Sequence, residues 1–216
     1  MNARPHIVWD WNGTLLDDVD AGIGALNRML ADRGLPAITR DFYRARFRFP
    51  VRPLYFEIGM DPDREWDRIC VEFHDYLARE PQHIRPDALA ALAYVRAKGA
   101  RQSLLSACRQ DLLLRDTARE GVQAYLDEIY GVDNLEGATK LSRGRELVAK
   151  IRDAGPDAAA AGLVFIGDTL HDAEAASALG GRVVLVDGGH QHADRLRAAG
   201  HAVAPSLLDA VKSVLG

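Results

Sequence analysis

Apolar residues follow two different patterns along the chain. Short continuous apolar runs, of which Ile7 to Trp9 is the first, predict buried strands. The predicted strands are residues 6–10, 101–107, 125–132, 163–168 and 182–189. Helical spacing between and after them predicts helices over 87–98, 110–120, 141–152, 172–179, 192–199 and 206–215, and the stretch 153–162 predicts a loop. Because strands and helices alternate, the sequence predicts an α/β fold with a parallel sheet.

The stretch between the first two predicted strands shows only the helical pattern. One helix is predicted from about Asp20 to Arg33, ended by Gly34, and a second one from Thr39. An apolar stripe at helical spacing predicts a third helix over 63–79. No strand is predicted between residues 17 and 85, so this part of the chain is expected to be a helical block.

Composition and charge narrow the function classes. The chain has 216 residues, 48% of them apolar, which suits one sizeable domain or one domain with an insertion. A net charge of −4 gives no general attraction to nucleic acid or to anionic membranes. Two cysteines, Cys70 and Cys108, do not suggest a disulfide framework. Without an apolar leader or an apolar run of membrane-spanning length, a cytoplasmic location is expected.

Polar residues stand where three predicted strands end: Asp10, Ser106 and Asp168. In parallel sheets, ligands bind at the carboxyl ends of the strands. A strand-end carboxylate such as Asp10 can act as a covalent nucleophile, and the turn that follows, with Gly13, offers backbone N–H groups to an anion. An aspartate that merely caps the turn is the simpler alternative.

A second acidic pair lies in "GDTLHD", where Asp168 and Asp172 are four residues apart. Together with Asp10 they would repel one another unless a cation lay among them, and oxygen ligands suit Mg²⁺. The alternative for Asp172 is a first-turn acid that stabilises a helix N-terminus. Ser106 could bind a phosphate oxygen with the N–H of the next residue, or be an ordinary turn serine. Lys140 begins a helix, where a cation is unfavourable unless it points inward at an anion; a solvated lysine is the alternative.

In this order and spacing, the four segments resemble the motifs of the haloacid dehalogenase (HAD) superfamily, which consists mostly of Mg²⁺-dependent phosphatases. "DWNGTLLDD" looks like the first motif, "LLS" the second, Lys140 the third and "GDTLHD" the fourth. The helical block resembles the cap of phosphoglycolate-phosphatase-like members. The resemblance implies a Rossmann-like parallel-sheet core of residues 1–16 and 86–216, a helical cap of residues 17–85, and a small phosphorylated metabolite as substrate.

The resemblance also implies roles for individual residues. Asp10 would attack phosphorus and form an aspartyl-phosphate. Mg²⁺ would be bound by Asp10, the backbone carbonyl of Asn12 and Asp168, with Asp172 assisting directly or through water. The phosphoryl oxygens would be stabilised by Ser106, Lys140 and the backbone N–H groups of Gly13 and Ala107.

Asn12 departs from the family pattern, because most phosphatases of this family carry an aspartate there as general acid and base. An amide cannot transfer that proton, and general acid–base help is typically worth about 10²–10⁴ in rate. Four explanations stay open. They are a substrate with a good leaving group, such as an acyl phosphate; substitution of the missing acid by His171; a catalytically attenuated protein that binds a phosphorylated ligand; and deamidation of Asn12.

The segment "RDFYRARFRFPVR", residues 40–52, contains five arginines. Arg48 and Arg52 are candidates for binding a second anionic group of the substrate, and Arg44 shares a helical face with Arg48. A solvated face paired with nearby acids is the alternative. The short patch is a poor candidate for single-stranded nucleic acid. We therefore expect no nucleic-acid or membrane partner, and a monomer or homodimer. His190 and His192 are predicted to be loop residues without a metal.

Overall fold

A computed structural model describes residues 4–134, 140–153 and 162–216 of the chain. Its strands and helices, in chain order, are β1 (His6–Trp9), β2 (Leu16–Asp17), α1 (Val19–Asp32), α2 (Arg40–Arg46), α3 (Arg52–Glu57), α4 (Pro62–Leu77), β3 (His83–Ile84), α5 (Ala88–Ala97), β4 (Gln102–Arg109), α6 (Gln110–Arg119), β5 (Ile129–Val132), α7 (Leu141–Asp153), β6 (Leu163–Gly167), α8 (Leu170–Ala178), β7 (Arg182–Val186), α9 (Ala193–Ala198), β8 (Val203–Ala204) and α10 (Leu207–Leu215). Part of the predicted 153–162 loop lies outside the described residues.

Six strands form a parallel sheet in the order β5-β4-β1-β6-β7-β8. The predicted parallel α/β fold is thereby confirmed. Strand β1 lies near the middle, with Val8 paired to Ser103 on one side and to Phe165 on the other. Both faces of β1 are buried under helices, which explains its unbroken apolar sequence.

The prediction that no strand lies between residues 17 and 85 is wrong. Strand β3 falls in this range and pairs antiparallel with β2, with Leu16 opposite Ile84. Helix α3 and strand β8 were also not predicted. Strands of two residues carry no readable periodicity, because they are defined only by the partner with which they pair.

The helices between β2 and β3 have a hydrophobic cluster of their own. Its buried members include Val19, Leu26, Met29, Leu54 and Ile69. Two further clusters cover the two faces of the parallel sheet. The helical block therefore has the separate apolar core that an independently packed unit requires.

Helix α2 joins the helical block to the loop after β7. Arg44 donates from Nε to the carbonyl oxygen of Gly189 at 2.8 Å and from Nη2 to Asp187 Oδ1 at 3.1 Å. Gln191 Nε2 donates to the carbonyl oxygen of Phe47 at 3.0 Å. These contacts place α2 beside the carboxyl end of the sheet. None of the described helices is both long and apolar enough to cross a membrane.

We expect the chain to lose stability in mild acid because of His6. Its ring is buried in β1 and shares a 2.9 Å hydrogen bond with Ser103 Oγ. Burial lowers the pKa of His6 from 6.5 to about 4, so the unfolded chain takes up a proton before the folded one does. Stability is therefore full above pH 6.5 and falls as the pH decreases toward 4, by about 2–3 kcal/mol.

Urea unfolding at pH 7.5 and pH 4.5 measures this loss. The His6→Gln variant keeps a polar side chain there but cannot take up the proton, so its loss between the two pH values should be smaller by that amount. An identical pH dependence of the two proteins would contradict the assignment.

Candidate active site

The sheet topology brings the strand-end residues to one edge. Asp10 follows β1, Ser106 lies where the regular pairing of β4 ends, and Asp168 follows β6, the other neighbour of β1. Carboxylate oxygens of Asp10, Asp168 and Asp172 all lie within 4.8 Å of one another. Asp10 thus forms one cluster with Asp168 and Asp172, which lie more than 150 residues after it in the sequence.

Lys140 lies within this cluster. Its Nζ donates to Asp10 Oδ1 at 2.6 Å, to Asp172 Oδ1 at 2.6 Å and to the carbonyl oxygen of Leu105 at 3.2 Å. The side chain is buried, and although burial opposes its charge, Asp10 and Asp172 raise the pKa of Lys140. The unusual position of a lysine at a helix start is explained by these inward-facing anions.

One ammonium group does not balance three carboxylates, two of which are buried. Burial raises the pKa of Asp10 to about 8, with Asp172 and Asp168 adding to the rise and Lys140 opposing it. Burial and Asp172 likewise raise the pKa of Asp168 to about 6, although His190 opposes this shift. The cluster is therefore short of positive charge, and its oxygen donors are those that a hard divalent cation prefers.

Hydrogen bonds fix the orientation of these carboxylates. Asp168 accepts from Thr14 Oγ1 at 2.9 Å and from the backbone N–H of His190 at 2.6 Å. Asp172 Oδ2 accepts from the backbone N–H and the hydroxyl of Thr169, at 3.0 and 2.7 Å, at the start of α8. Asp172 is thus a first-turn acid that stabilises a helix start and also a member of the cluster. The two interpretations of this residue do not compete.

The predicted phosphate-binding groups lie at the same edge. Ser106 Oγ accepts from the N–H of Cys108 at 3.0 Å, which leaves the hydroxyl hydrogen free to be donated. Ala107 lines the cavity beside it. The N–H of Gly13, predicted to bind phosphate, instead donates to Asp18 Oδ1 at 2.7 Å and is not free for an anion in this structure. Only glycine fits at position 13, because φ is +72° and a Cβ would lie 2.4 Å from Asp168 Oδ2.

The amide of Asn12 belongs to a network that sequence reasoning did not find. Nδ2 of Asn12 donates to Asp18 Oδ2 at 2.7 Å. Asp18 Oδ1 lies 3.2 Å from His190 Nε2, and Tyr43 Oη lies 2.8 Å from His190 Nδ1. The predicted loop residue His190 is therefore a buried member of the site.

The charges of this network are coupled. Although burial opposes charge on both partners, Asp18 raises the pKa of His190 to about 9, and His190 lowers the pKa of Asp18. The pair is therefore ionic at neutral pH. Asp18 directly follows Asp17 in the first motif, so its acidity was visible in the sequence. Nothing there indicated that it would meet a histidine more than 170 residues away.

His171 also faces the site. Its ring stacks on Phe49 with centroids 4.6 Å apart, and its Nε2 is buried without a hydrogen-bond partner among the described residues. Burial, followed by the charge of Lys140, lowers the pKa of His171. The neutral ring is therefore favoured at pH 7.

The arginines of residues 40–52 lie outside the cavity wall. Arg48 pairs with Glu57 at 2.7 Å and is partly exposed. Arg52 donates to the carbonyl oxygen of Pro62 at 2.5 Å and lies over the Trp66 ring. Arg44 contacts the loop after β7. In the structure these three side chains contact other residues of the same chain, and none of them lies at the carboxylate cluster.

A cavity of about 410 Å³ opens over the carboxylate cluster. Asp10, Ser106, Lys140 and Asp168 line its floor. Side chains of the helical block form much of the remaining wall. This volume lies in the range of small-molecule binding sites.

Comparison with known proteins places this arrangement in a family. The model of the family described as haloacid dehalogenase-like hydrolase matches residues 7–177, which include all four motif segments. The chain belongs to the haloacid dehalogenase-like hydrolases. The family that the motifs resembled is thereby confirmed.

Individual relatives agree along the whole chain. A phosphoglycolate phosphatase from Caulobacter vibrioides is 30% identical over 97% of this chain and 90% of its own length. The probable phosphatase IndB from Dickeya dadantii is 26% identical over 99% of this chain and 93% of its own. A crystal structure described as a predicted phosphatase from Clostridium acetobutylicum superposes with a TM-score of 0.81 at 17% identity, covering 98% of both chains. This chain is therefore a haloacid dehalogenase-like hydrolase, and the two relatives named first are described as a phosphoglycolate phosphatase and a probable phosphatase.

Proposed function

We propose that this HAD protein is a Mg²⁺-dependent phosphatase that hydrolyses a small phosphorylated metabolite through an aspartyl-phosphate on Asp10. The observation that carries the proposal is the position of Asp10. Its carboxylate lies on the floor of the cavity, 2.6 Å from Lys140 and within 4.8 Å of two further carboxylates. A nucleophile, a cation and a cluster of oxygen ligands thus face the same space.

The residues present fit a magnesium ion. The three carboxylates supply only oxygen donors, and the raised pKa values of Asp10 and Asp168 indicate that the cluster lacks positive charge. Asp10, Asp168 and Asp172 would bind the ion, together with the backbone carbonyl of Asn12. When bound, the ion reduces the repulsion between carboxylate and phosphate and orients the attack.

The chain's own residues would carry out the remaining steps. Lys140 keeps Asp10 oriented and, with the hydroxyl of Ser106 and the N–H of Ala107, stabilises charge on the phosphoryl oxygens. Asp10 attacks phosphorus and the ester oxygen leaves. Water then attacks the aspartyl-phosphate and releases phosphate. No group at position 12 can donate or accept the proton in these steps.

We further propose that residues 17–85 act as a cap over a core of residues 1–16 and 86–216. The separate apolar cluster of the helical block and its contribution to the cavity wall support this division. A cap that closes excludes water from the phosphoryl group. The attenuated-binder alternative depends on Asn12 alone, and the named relatives give it no support.

Phosphate release from a panel of esters and acyl phosphates, with Mg²⁺ or with EDTA, tests the proposed activity. Release that requires Mg²⁺ is expected. Failure of every compound in the panel with a folded, Mg²⁺-binding protein would contradict the proposed function.

We expect Mg²⁺ to raise the melting temperature of the protein. A ligand at 100 times its Kd stabilises a fold by about 2.7 kcal/mol, which corresponds to roughly 5–10 °C for a chain of this size. In Asp168→Asn the increase should largely disappear, because one buried ionic ligand is lost. Asp75→Asn is the matched control, because Asp75 lines the same cavity but is exposed and lies outside the cluster. An equal Mg²⁺ effect in all three proteins would contradict the assigned ligands.

A further inference from the structure

The part of the cavity wall that the helical block contributes is mostly apolar and rich in aromatic rings. Phe49, Tyr55, Trp66 and Phe73 all line it. The structure describes every residue from 19 to 82, and no lysine or arginine in that range reaches the cavity. The one carboxylate or cation there is Asp75, which is exposed. Aromatic walls favour a flat apolar ligand group, which they can contact face-on or edge-on.

The cations on the sheet side already have anionic partners. Lys140 is paired with Asp10 and Asp172. Arg109 makes two hydrogen bonds to Asp111, at 2.6 and 2.8 Å, and Arg115 pairs with Asp116 at 3.0 Å. Among the described residues, a second anionic group on a substrate would find no unpaired cation in this wall. A carboxylate on the substrate would be desolvated there without compensation.

Asn12 restricts the leaving group independently of the cavity wall. Its amide donates to Asp18 and has no proton that it can transfer to an ester oxygen. An alkoxide is almost as poor a leaving group as hydroxide, whose parent acid, water, has a pKa of about 15.7. A phenolate is far better, because a phenol such as the tyrosine side chain has a pKa of about 10. Loss of a general acid therefore matters least for a phenolic ester.

The two observations select the same class of compound. We infer that the substrate is an aryl phosphate, a phosphate monoester of a phenol-like alcohol without a second anionic group. This inference rests on the proposed phosphatase function and makes its substrate class specific. The volume of about 410 Å³ leaves room for a ring, whereas a two-carbon phosphoacid would fill little of it.

The reaction balances without a general acid. An Asp10 oxygen forms a bond to phosphorus while the phosphorus–aryl oxygen bond breaks, and the electron pair leaves on the phenolate, which takes its proton from water. Water then adds to phosphorus, the aspartyl oxygen leaves as the carboxylate, and the water proton goes to solvent. Because position 12 offers no base for the second step, we expect phosphoenzyme to accumulate.

Three compounds that differ in leaving group and in charge test the inference: phenyl phosphate, cyclohexyl phosphate and 2-phosphoglycolate. In the natural protein with Mg²⁺, kcat/KM should be at least about 100-fold higher for phenyl than for cyclohexyl phosphate. Phenol release should begin with a burst of about one equivalent per enzyme. In Asn12→Asp, the ratio of kcat/KM for phenyl phosphate to kcat/KM for cyclohexyl phosphate should decrease at least about tenfold. This change separates the role of Asn12 from the intrinsic reactivity of aryl esters.

The wall is tested by adding a cation to it. Val71 lines the cavity and is 53% exposed, so Val71→Arg should fold, with Val71→Leu as its matched control. The arginine variant should gain activity toward 2-phosphoglycolate relative to phenyl phosphate, and the leucine variant should not.

Two results would overturn the inference but leave the phosphatase intact. One is a higher kcat/KM for 2-phosphoglycolate than for phenyl phosphate in the natural protein. The other is a ratio of kcat/KM for phenyl phosphate to kcat/KM for cyclohexyl phosphate that is the same in Asn12→Asp as in the natural protein. Release of no phosphate from these compounds or from acetyl phosphate, by folded protein with Mg²⁺, would instead contradict the proposed function and the inference with it.

Discussion

Replacing Asp10 with asparagine should abolish phosphate release while leaving the protein folded. The amide cannot form an acyl phosphate by attack on phosphorus, so we expect turnover to fall by at least about 10⁴, by analogy with the loss of other catalytic nucleophiles. Stability should not fall. Burial and two neighbouring carboxylates raise the pKa of Asp10 to about 8, so its charge is unfavourable in the metal-free fold, and a neutral amide removes that charge.

Two measurements on the same preparation check this expectation: phosphate release with Mg²⁺, and the melting temperature without it. Asp17→Asn is a suitable control, because Asp17 is exposed and lies in the same segment. It should retain full activity. Asp10→Asn protein that is folded and still turns over substrate at more than a hundredth of the natural rate would exclude Asp10 as the nucleophile.

Replacing Asn12 with aspartate should increase turnover of poor leaving groups by about 10²–10⁴. The amide of Asn12 lies 2.7 Å from Asp18 Oδ2, and His190 keeps Asp18 ionised although burial opposes its charge. Two carboxylates at this distance cannot easily both be charged, so the pKa of the introduced carboxyl is raised and it retains a proton near neutral pH. The substitution thus supplies a general acid in the form that an alkoxide leaving group needs.

The same repulsion predicts a cost in stability at high pH. A carboxyl whose pKa is raised in the folded state stabilises the fold less as the pH increases from its unfolded pKa toward its folded one. The melting temperature of Asn12→Asp, without Mg²⁺, should therefore fall more steeply with pH than that of the natural protein.

Steady-state rates with an alkyl phosphate and melting curves from pH 5 to pH 9 measure both effects. Asn12→Ala is the control, because it removes the hydrogen bond to Asp18 without adding an acid, and it should give no gain in rate. If the alanine variant were as fast as the aspartate variant, relief of the Asp18 contact, rather than an added acid, would be the cause.

Local patterns were sufficient for the fold class and for the carboxylate cluster. The unbroken apolar run of β1 indicates a strand that is buried on both faces. The helical spacing after each later strand indicates helices that are buried on one face. Together these patterns are typical of a parallel sheet covered by helices. Once the sheet is parallel, Asp10, Ser106 and Asp168 must lie at its carboxyl edge. The sequence therefore determined the family, the sheet and the acids on the cavity floor.

Only the tertiary structure decided what surrounds those acids. The contact between Tyr43 and His190 joins residues 147 apart in sequence, and no periodicity of either segment encodes it. The predicted roles of Arg48 and Arg52 depended on where α2 and α3 lie, and these side chains face Glu57 and Pro62 instead of the cavity wall. Strand β3 exists only because β2 lies beside it. Local sequence determines which face of a helix or strand is apolar. Which neighbour packs against that face depends on how distant segments fold together. That packing determined both the hydrogen-bond partner of Asn12 and the apolar wall over Asp10.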